Sequence, residues 1–364
     1  MTTISLARGV PAAELLPVEE LADCAREVLR REGSTLLNYG PVAGYAPLRE
    51  WVAARHGVEV SRVVLTPGSL PGLVVVFQVL VAAGRRPLVE APSYDRPLGI
   101  LDTLGVQPAA VPLTDDGLEL GALERELAAG RPSFLYAIPT FQNPSGRTYT
   151  EDVRRELIEL ARVHDLLLLE DDPYRLVHFG GEPPPTLFEL AAGDGVAYAS
   201  SFSKVVAPGL RVGYLIVPPE LVGAVEERAV ATYLSPALTL QAALYEFIAR
   251  GRLEPNLARV RAGIGARRDA TLGALDEHLG GAATWSRPDG GYFVWLDLPD
   301  GVSADDVADR AHEAGVAVVK GSDFFPRGAG GHSSLRLAYS FVSTRELGDG
   351  IARLAAAIPA PAAV

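Results

Sequence analysis

Short apolar runs alternate with helical patterns along most of the chain. In segments 18–31 and 151–164 the apolar residues recur at the spacing of one helix face. The runs between helical segments are apolar on both faces, which is typical of strands in a parallel sheet that helices cover on each side. The pattern therefore predicts an α/β fold with a mostly parallel sheet. Its predicted strands are 63–65, 87–90, 107–111, 133–138, 166–170, 196–200 and 212–217.

A different pattern follows position 253. Segment 253–279 predicts one long helix that connects two domains, and 33–44 predicts a loop near the start of the chain. We expect a large domain at 45–255 and a small α+β domain formed by 1–44 and 256–364. The later elements of the small domain are predicted at 290–298 (strand), 303–314 (helix), 316–319 (strand), 334–340 (strand) and 344–358 (helix).

Polar and aromatic residues come just after several of the predicted strands. Ligands of such sheets bind beyond the carboxyl ends of the strands, so these residues predict one common site. The residues are Ser69, Tyr94, Asn143, Asp171 and Lys204.

Composition and net charge argue against several classes of protein. A net charge of −12 argues against a nucleic-acid partner, because binding phosphates needs a basic face. No run approaches the roughly 18 apolar residues of a membrane span, and no secretory signal is visible at the start. Cys24 is the only cysteine, and the six histidines lack metal-ligand spacing. We therefore expect a cytoplasmic protein without a membrane segment or a metal site.

The most informative residue is a lysine. Of the 33 basic residues only two, Lys204 and Lys320, are lysines. A lysine amine, unlike arginine, can lose its proton, attack a carbonyl and hold it as an imine. Serine hydroxyls surround Lys204 and Arg211 follows it, and these are groups that bind phosphate. The combination indicates the chemistry of pyridoxal 5′-phosphate (PLP), and a surface lysine in a serine-rich loop is the alternative.

Other strand-end residues match parts of such a cofactor, and each also has a structural alternative. Ser69, with the backbone N–H groups of Gly68 and Leu70, opens a helix and predicts an anion site, or it merely caps the helix. Tyr94 is suited to stack on a planar ring, although a single tyrosine is more often a packing residue. Asn143 is suited to donate to a phenolate oxygen, although an Asn–Pro turn occurs in any protein.

Carboxylates and an arginine complete the candidate chemistry. Glu170, Asp171 and Asp172 follow a buried strand, where carboxylates need a cationic partner. A protonated pyridine nitrogen is such a partner for Asp171 and makes the ring an electron sink, with Tyr174 at another edge. A metal site or a solvated acidic turn is the alternative. Arg336 lies within an apolar strand and needs a carboxylate, that of a substrate or that of an intradomain salt bridge.

Three motifs occur together and are highly specific as a set. They are P-x-x-x-N-P-S-G (139–146), E-D-D-P-Y (170–174) and S-x-S-K-x-x-A-P-G-L-R (201–211). With them the chain resembles, along essentially its whole length, the class I/II aminotransferases of PLP fold type I, nearest the 2-aminoadipate/kynurenine-type and valine-type subgroup. The resemblance implies a mostly parallel seven-stranded sheet covered by helices and a smaller α+β domain. It also implies transfer of an α-amino group from an amino acid to a 2-oxo acid.

The resemblance further implies a role for each matching residue. Lys204 forms the aldimine with PLP and moves the proton at the substrate Cα. Asp171 pairs with the pyridine nitrogen, while Asn143 and Tyr174 reach the phenolate oxygen and Tyr94 stacks on the ring. The residues implied to hold the phosphate are Gly68, Ser69, Leu70, Ser201, Ser203 and Arg211.

Substrate and subunit contacts are implied as well. Arg336 clamps the α-carboxylate, with Gly9 and Asn143 on the substrate side. Tyr39 reaches the phosphate of the neighbouring subunit, which implies a homodimer. Arg8 stands where the subgroup usually has glycine, which would favour a second carboxylate on the substrate, and a side chain that points to solvent is the alternative.

The chain departs from the subgroup at two other places, and two further functions are compatible with its sequence. Leu70-Pro71 replace a usual polar pair, so a side-chain donor to the phosphate is lost. Lys320 stands where a proline is common. The same scaffold also supports a PLP-dependent lyase, cyclase or decarboxylase, because each begins from the same carbanion. An effector-sensing domain of a MocR-type regulator is a remote alternative, since the acidic chain shows no winged helix before Ile4.

Overall fold

Most elements of the fold lie within one or two residues of their predicted positions. The computed structural model describes residues 3–81 and 86–359. Its strands are β1 (Ile4–Ser5), β2 (Val63–Thr66), β3 (Leu88–Ala91), β4 (Ala109–Pro112), β5 (Phe134–Ala137), β6 (Leu167–Asp171), β7 (Val196–Ser201), β8 (Gly213–Ile216), β9 (Thr284–Trp285), β10 (Phe293–Asp297), β11 (Val316–Ala317), β12 (Val319–Lys320) and β13 (Ser334–Ala338).

Helices separate most of these strands. Short 3₁₀ turns also occur, among them the turn Gly321–Phe324 before β13. The α-helices are α1 (Val18–Leu36), α2 (Ala46–His56), α3 (Ser69–Val81), α4 (Asp95–Thr103), α5 (Leu120–Ala129), α6 (Glu151–Val163), α7 (Leu187–Leu190), α8 (Pro219–Tyr233), α9 (Leu238–Ala249), α10 (Leu253–Leu279), α11 (Ala304–Glu313) and α12 (Thr344–Ala357).

The main sheet has the strand order β2-β8-β7-β6-β5-β3-β4. Strands β3 to β7 pair in parallel, whereas β8 is antiparallel to both of its neighbours, β2 and β7. All strands of this sheet except β8 therefore end at the same edge, and β8 begins there. The prediction of a mostly parallel seven-stranded sheet is confirmed.

Apolar side chains cover both faces of the main sheet. On one face Leu169 and Tyr136 pack with Phe77 of α3, and on the other Leu168 lies in a second core. Each fully buried leucine or phenylalanine contributes about 1.5–3 kcal/mol to the free energy of unfolding. Because both faces are covered, the strands lack polar alternation. Packing on both faces also holds the sheet rigidly, and with it the residues at its carboxyl edge.

A second sheet, with the order β12-β13-β10-β9, is antiparallel and lies in the C-terminal part of the chain. Helix α12 packs on α10, which begins and ends where the sequence predicts. The N-terminal strand β1 pairs in parallel with β11, so the start of the chain joins this C-terminal part. The division into 45–255 and into 1–44 with 256–364 stays a prediction.

Two sequence predictions are wrong in detail. Helix α1 continues to Leu36, into the predicted loop 33–44, because Leu36 is buried in an apolar cluster with Leu238 of α9. The predicted strand 316–319 is two strands, since β11 pairs with β1 and β12 pairs with β13. Both errors arise because the deciding partner lies far away along the chain.

Among residues 3–81 and 86–359, no helix combines the length and the apolar character that a membrane span requires.

Candidate active site

The carboxyl edge of the main sheet brings the predicted residues together. Asp171 is the last residue of β6, and Lys204 follows β7 by three residues. Ser69 opens α3 just after β2, and Tyr94 directly precedes α4. Arg211 lies two residues before β8, and it reaches the same edge because β8 runs in the opposite direction. The topology thus explains why residues distant in sequence meet at one site.

Lys204 lies in a turn and points toward the N-terminal segment. Its Nζ donates a hydrogen bond of 2.6 Å to the carbonyl oxygen of Gly9. The same Nζ lies 5.8 Å from the ring centroid of Tyr174 and 5.6 Å from that of Tyr292. The amine is therefore held between two aromatic rings and one backbone acceptor.

The surroundings of Lys204 favour its neutral amine. The pKa of Lys204 is lowered from 10.5 to about 8, chiefly by burial and then by the positive charges of Arg336 and Arg211. The charge of Asp171 acts in the opposite direction. A lower pKa increases the fraction of unprotonated amine near neutral pH, and this fraction is the nucleophile and the base.

Asp171 has one carboxylate oxygen without a protein partner. Its Oδ2 accepts a hydrogen bond of 2.8 Å from the hydroxyl of Tyr136. Its Oδ1 is buried and has no hydrogen-bond partner among the described residues. The pKa of Asp171 is raised to about 7, chiefly by burial and also by the neighbouring charge of Asp172, although the hydrogen bond from Tyr136 acts in the opposite direction. Such an oxygen needs a donor, preferably a cationic one, that residues 3–81 and 86–359 do not supply.

The two carboxylates beside Asp171 have partners within the protein. Glu170 accepts two backbone N–H groups at the start of α7. Asp172 accepts the hydroxyl of Tyr198 at 2.7 Å and one backbone N–H. In the described part of the chain, no group of three or more His, Cys, Asp or Glu side chains could hold a metal ion. Asp171 alone of the three therefore has an oxygen left for a ligand.

The start of α3 forms a cradle with the segment that leads into β8. Gly68 has a φ of +96°, and a Cβ added there would clash with the guanidinium of Arg211. A Cβ added at Gly213 would lie 2.6 Å from the backbone nitrogen of Ser69. The two glycines let three segments approach closely, and the first N–H groups of α3 have no acceptor within the helix. This geometry suits an anion such as a phosphate.

Two serine hydroxyls lie near this cradle. Ser201 ends β7, and its Oγ is 2.9 Å from the Oγ of Ser203. The backbone N–H of Ser203 donates to the Oγ of Ser201 at 3.1 Å. Leu70 is the second residue of α3, so it presents a backbone N–H at the same helix start. Roles of these residues in phosphate binding stay predictions.

Arg336 is a buried cation without a carboxylate partner. Its Nη2 donates to the carbonyl oxygen of Ala7 at 2.7 Å, and its Nη1 donates to Oδ1 of Asn143 at 3.2 Å. Its guanidinium carbon lies 4.5 Å from the ring centroid of Phe293 and 4.9 Å from that of Phe324. Its Nε is buried without a partner, and no described carboxylate lies within salt-bridge distance. The alternative of an intradomain salt bridge is therefore wrong.

Three further predicted residues differ in exposure. Tyr174 is buried, and its ring centroid is 5.5 Å from that of Tyr292. Tyr39 is 82% exposed, just beyond the end of α1. Arg8 is exposed, and its guanidinium carbon lies 4.4 Å from the ring centroid of Phe341. A substrate role for Arg8 and an intersubunit role for Tyr39 stay predictions.

Sequence reasoning missed several residues that surround the site. Tyr136, Tyr292, Phe293 and Phe324 contact predicted residues, yet each looked like an ordinary core aromatic. One signal was available, because two consecutive glycines at 290–291 precede β10 and indicate a close approach of the backbone. The contact of Tyr136 had no comparable signal in the sequence.

Comparison with known proteins identifies the family. The family model described as aspartate amino-transferase matches residues 2–363. The chain belongs to this family. It is 40% identical to the 2-aminoadipate transaminase of Thermus thermophilus, over 98% of this chain and 90% of that protein. It is 33% identical to aromatic-amino-acid aminotransferase 1 of Thermococcus litoralis, over 98% of this chain and 88% of that protein.

A solved structure supports the same assignment. The alpha-aminoadipate aminotransferase LysN from Thermus thermophilus superposes with a TM-score of 0.93 at 38% identity, covering 98% of this chain and 92% of that chain. The predicted family, the predicted fold and the predicted class of enzyme are confirmed. The chain is an aminotransferase.

We predict that Arg336→Gln raises the pKa of Lys204, because after burial the charge of Arg336 is the largest cause that lowers it. In the cofactor-free protein, the pH midpoint for reaction of the Lys204 amine with an amine-directed reagent should move upward from about 8. Peptide mass spectrometry can follow this modification at Lys204 separately from Lys320.

The matched control is Arg268→Gln. Arg268 also stacks on a phenylalanine, 4.9 Å from the ring centroid of Phe179, but it is not among the charges that act on Lys204. Its variant should keep the wild-type midpoint. Equal midpoints in both variants would contradict the electrostatic coupling of Arg336 and Lys204.

Proposed function

We propose that this aminotransferase binds PLP at the carboxyl edge of the main sheet, where Lys204 holds it covalently. It transfers an α-amino group from an amino acid to a 2-oxo acid. The observation that carries the proposal is the buried Oδ1 of Asp171, which has no protein donor. The LysN structure is described as complexed with N-(5'-phosphopyridoxyl)-L-leucine, which supports the same cofactor in this chain.

The residues present fit each part of PLP. Asp171 is suited to the pyridine nitrogen, because a protonated ring nitrogen supplies the cationic donor that its Oδ1 lacks. Tyr94 is suited to the face of the ring, and Asn143 and Tyr174 are suited to its phenolate oxygen. The residues suited to the phosphate are Gly68, Ser69, Leu70, Ser201, Ser203 and Arg211.

When bound, PLP supplies an aldehyde that captures an amine and a ring that accepts the electron pair left at Cα. Lys204 Nζ takes the proton from the substrate Cα and later returns a proton, and a pKa of about 8 suits both tasks. Asp171 Oδ1 keeps the proton on the pyridine nitrogen by accepting its hydrogen bond. The surrounding rings of Tyr174 and Tyr292 limit the access of water to Nζ.

Arg336 is suited to orient the substrate through its α-carboxylate. A guanidinium has five N–H donors, and two of those of Arg336 bind Ala7 and Asn143. The remaining donors, including the unpartnered Nε, are enough for a carboxylate that binds through both oxygens. Such a pair holds Cα in one orientation, so that its hydrogen can face Lys204.

The two lysines provide a matched test of covalent attachment. Lys204→Ala should lose covalently bound PLP, because no other buried amine is available at the site. Lys320→Ala should keep it, because Lys320 forms a surface pair with Asp305. Borohydride reduction followed by intact-protein mass spectrometry counts the attached cofactor, and attachment that survives in Lys204→Ala would refute the assignment of Lys204.

Neighbouring aspartates provide a second matched test. Asp171→Asn should lower kcat by about 100-fold or more. The carboxylate suited to the pyridine nitrogen of PLP is lost, while the shape of the side chain is kept. Asp172→Asn should lower stability more than activity, because both of its oxygens already serve protein donors. Single-turnover kinetics with saturating PLP and thermal unfolding distinguish the two. Similar losses of kcat in both variants would contradict the special role of Asp171.

We further propose that the protein is a homodimer in which Tyr39 completes the phosphate site of the partner subunit. Tyr39 is 82% exposed and Leu37 beside it is 76% exposed, so both apolar side chains are available to an interface. A tyrosine hydroxyl suits a phosphate oxygen that a cradle of N–H groups leaves open.

Subunit mixing tests this arrangement. Tyr39→Phe should weaken PLP affinity by about tenfold or more, because a hydrogen bond to a charged group is lost. Mixing it with Lys204→Ala should restore wild-type affinity and activity in up to about one quarter of the sites, because each mixed dimer has one site with both residues intact. Sedimentation velocity gives the oligomeric state. A monomeric protein, or no restoration on mixing, would contradict the shared site.

A further inference from the structure

Two side chains from outside the main sheet hold the backbone of the turn at residues 202–206, which carries Lys204 and which we call the lysine turn. The hydroxyl of Tyr292 donates to the carbonyl oxygen of Lys204 at 2.7 Å. The side-chain amide of Asn256 donates to the carbonyl oxygen of Val205 at 2.6 Å. Tyr292 is 0% exposed and Asn256 is 4% exposed, so both donor residues are buried. We refer to Tyr292 and Asn256 as the carbonyl clamp.

The lysine turn needs such a clamp because it is not part of a regular element. Strand β7 ends at Ser201, and the turn that follows is closed by backbone N–H groups of Val205 and Val206 that donate to Phe202. The carbonyl oxygens of Lys204 and Val205 point out of this turn, and buried carbonyls need partners. The partners come from the residue just before β10 and from α10, so the position of the lysine backbone depends on the C-terminal part of the chain.

Tyr292 itself has little freedom to move. A Cβ added to Gly290 would clash with the ring of Phe141, and the N–H of Gly291 donates to a backbone carbonyl at 2.9 Å. On the other side, a Cβ added at Gly9 would lie 2.5 Å from the ring of Phe293. The segment that carries Tyr292 is thus packed tightly on both sides. Because this segment is rigid, the hydroxyl of Tyr292 has a fixed position, and it fixes the position of the Lys204 carbonyl to which it donates.

Tyr292 also lies close to the other end of the same lysine. Its ring centroid is 5.6 Å from Nζ and 5.5 Å from the ring centroid of Tyr174. One residue therefore contacts Lys204 at its backbone carbonyl and borders its amine. A lysine stem is flexible, so the reach of Nζ depends on where its backbone is anchored.

We propose that Tyr292 is a positioning residue of the reaction: its hydroxyl, together with the amide of Asn256, holds the Lys204 peptide so that Nζ reaches the substrate Cα. This inference rests on the proposed function of Lys204. Displacement of a catalytic group by about 1 Å can reduce a rate by up to about 100-fold, so loss of one clamp contact has a measurable effect. A purely structural Tyr292 would only satisfy a buried carbonyl.

The test compares Tyr292→Phe with Tyr339→Phe. Tyr339 is also 0% exposed, and its hydroxyl donates at 3.0 Å to the carbonyl of Gly290 in the same segment, without contact to the lysine turn. Each variant thus loses one buried hydroxyl and leaves one carbonyl without its donor. The two variants should lose similar thermal stability.

The readout is removal of the Cα proton in a single turnover. The substrate is the amino acid that the wild-type protein converts fastest, with hydrogen or deuterium at Cα. Tyr292→Phe should lower the rate about threefold to tenfold, since one hydrogen bond to the Lys204 peptide is lost. Its primary isotope effect on kcat should rise, with KM and the amount of covalently attached PLP unchanged. Tyr339→Phe should keep the wild-type rate and isotope effect.

Equal rates and equal isotope effects in the two variants would overturn the proposal and leave Tyr292 with a structural role only. Should Tyr292→Phe not accumulate as soluble protein, Asn256→Leu removes the other clamp contact and is judged by the same criteria. Lys204→Ala distinguishes failure of the proposed function from failure of the carbonyl clamp. PLP that stays covalently attached in Lys204→Ala refutes the proposed function. If Lys204→Ala loses the attachment but Tyr292→Phe keeps the wild-type rate and isotope effect, only the role of the clamp is refuted.

Discussion

Buried charge without a partner of opposite sign is the constraint on which this structure depends. Asp171 ends β6 at the carboxyl edge of the main sheet, and Arg336 lies in β13 of the second sheet, each almost excluded from water and each with a polar atom that no described residue binds. Burial of an unpaired charge is costly, so a fold retains it only where a ligand supplies the missing partner. Both charges act on Lys204: burial and the charge of Arg336 lower its pKa, whereas the charge of Asp171 raises it.

The antiparallel direction of β8 brings Arg211 to the carboxyl edge of the main sheet, where the other candidate residues lie. If β8 ran parallel to its neighbours, Arg211 would lie at the opposite edge, away from the start of α3. Because β8 is antiparallel, its first residues meet the Gly68 turn, and Gly213 allows contact with the backbone of Ser69. This chain thus owes its candidate anion cradle to both the direction of β8 and the two glycines, Gly68 and Gly213.

Much of the fold could be predicted because helix and strand periods are local properties of the chain. The limits of α10 and the ends of β5 to β7 followed from apolar patterns alone. Candidate residues such as Asp171 followed from their position after these strands. Three adjacent carboxylates, however, look alike in sequence, and only their partners distinguish Asp171 from Glu170 and Asp172. The role of Tyr292 could not be predicted either, because its partner is 88 residues away.

By itself, the sequence determined which segments become strands and helices, which residues stand at strand ends, and which chemistry those residue types allow. These features depend on neighbours within a few turns of the chain, so they can be read locally. Only the tertiary structure decided which buried polar atoms find partners. Arg336 meets Asn143 across 193 residues, and Lys204 meets Gly9 across 195. Such contacts depend on how the elements pack, and packing is a property of the whole fold.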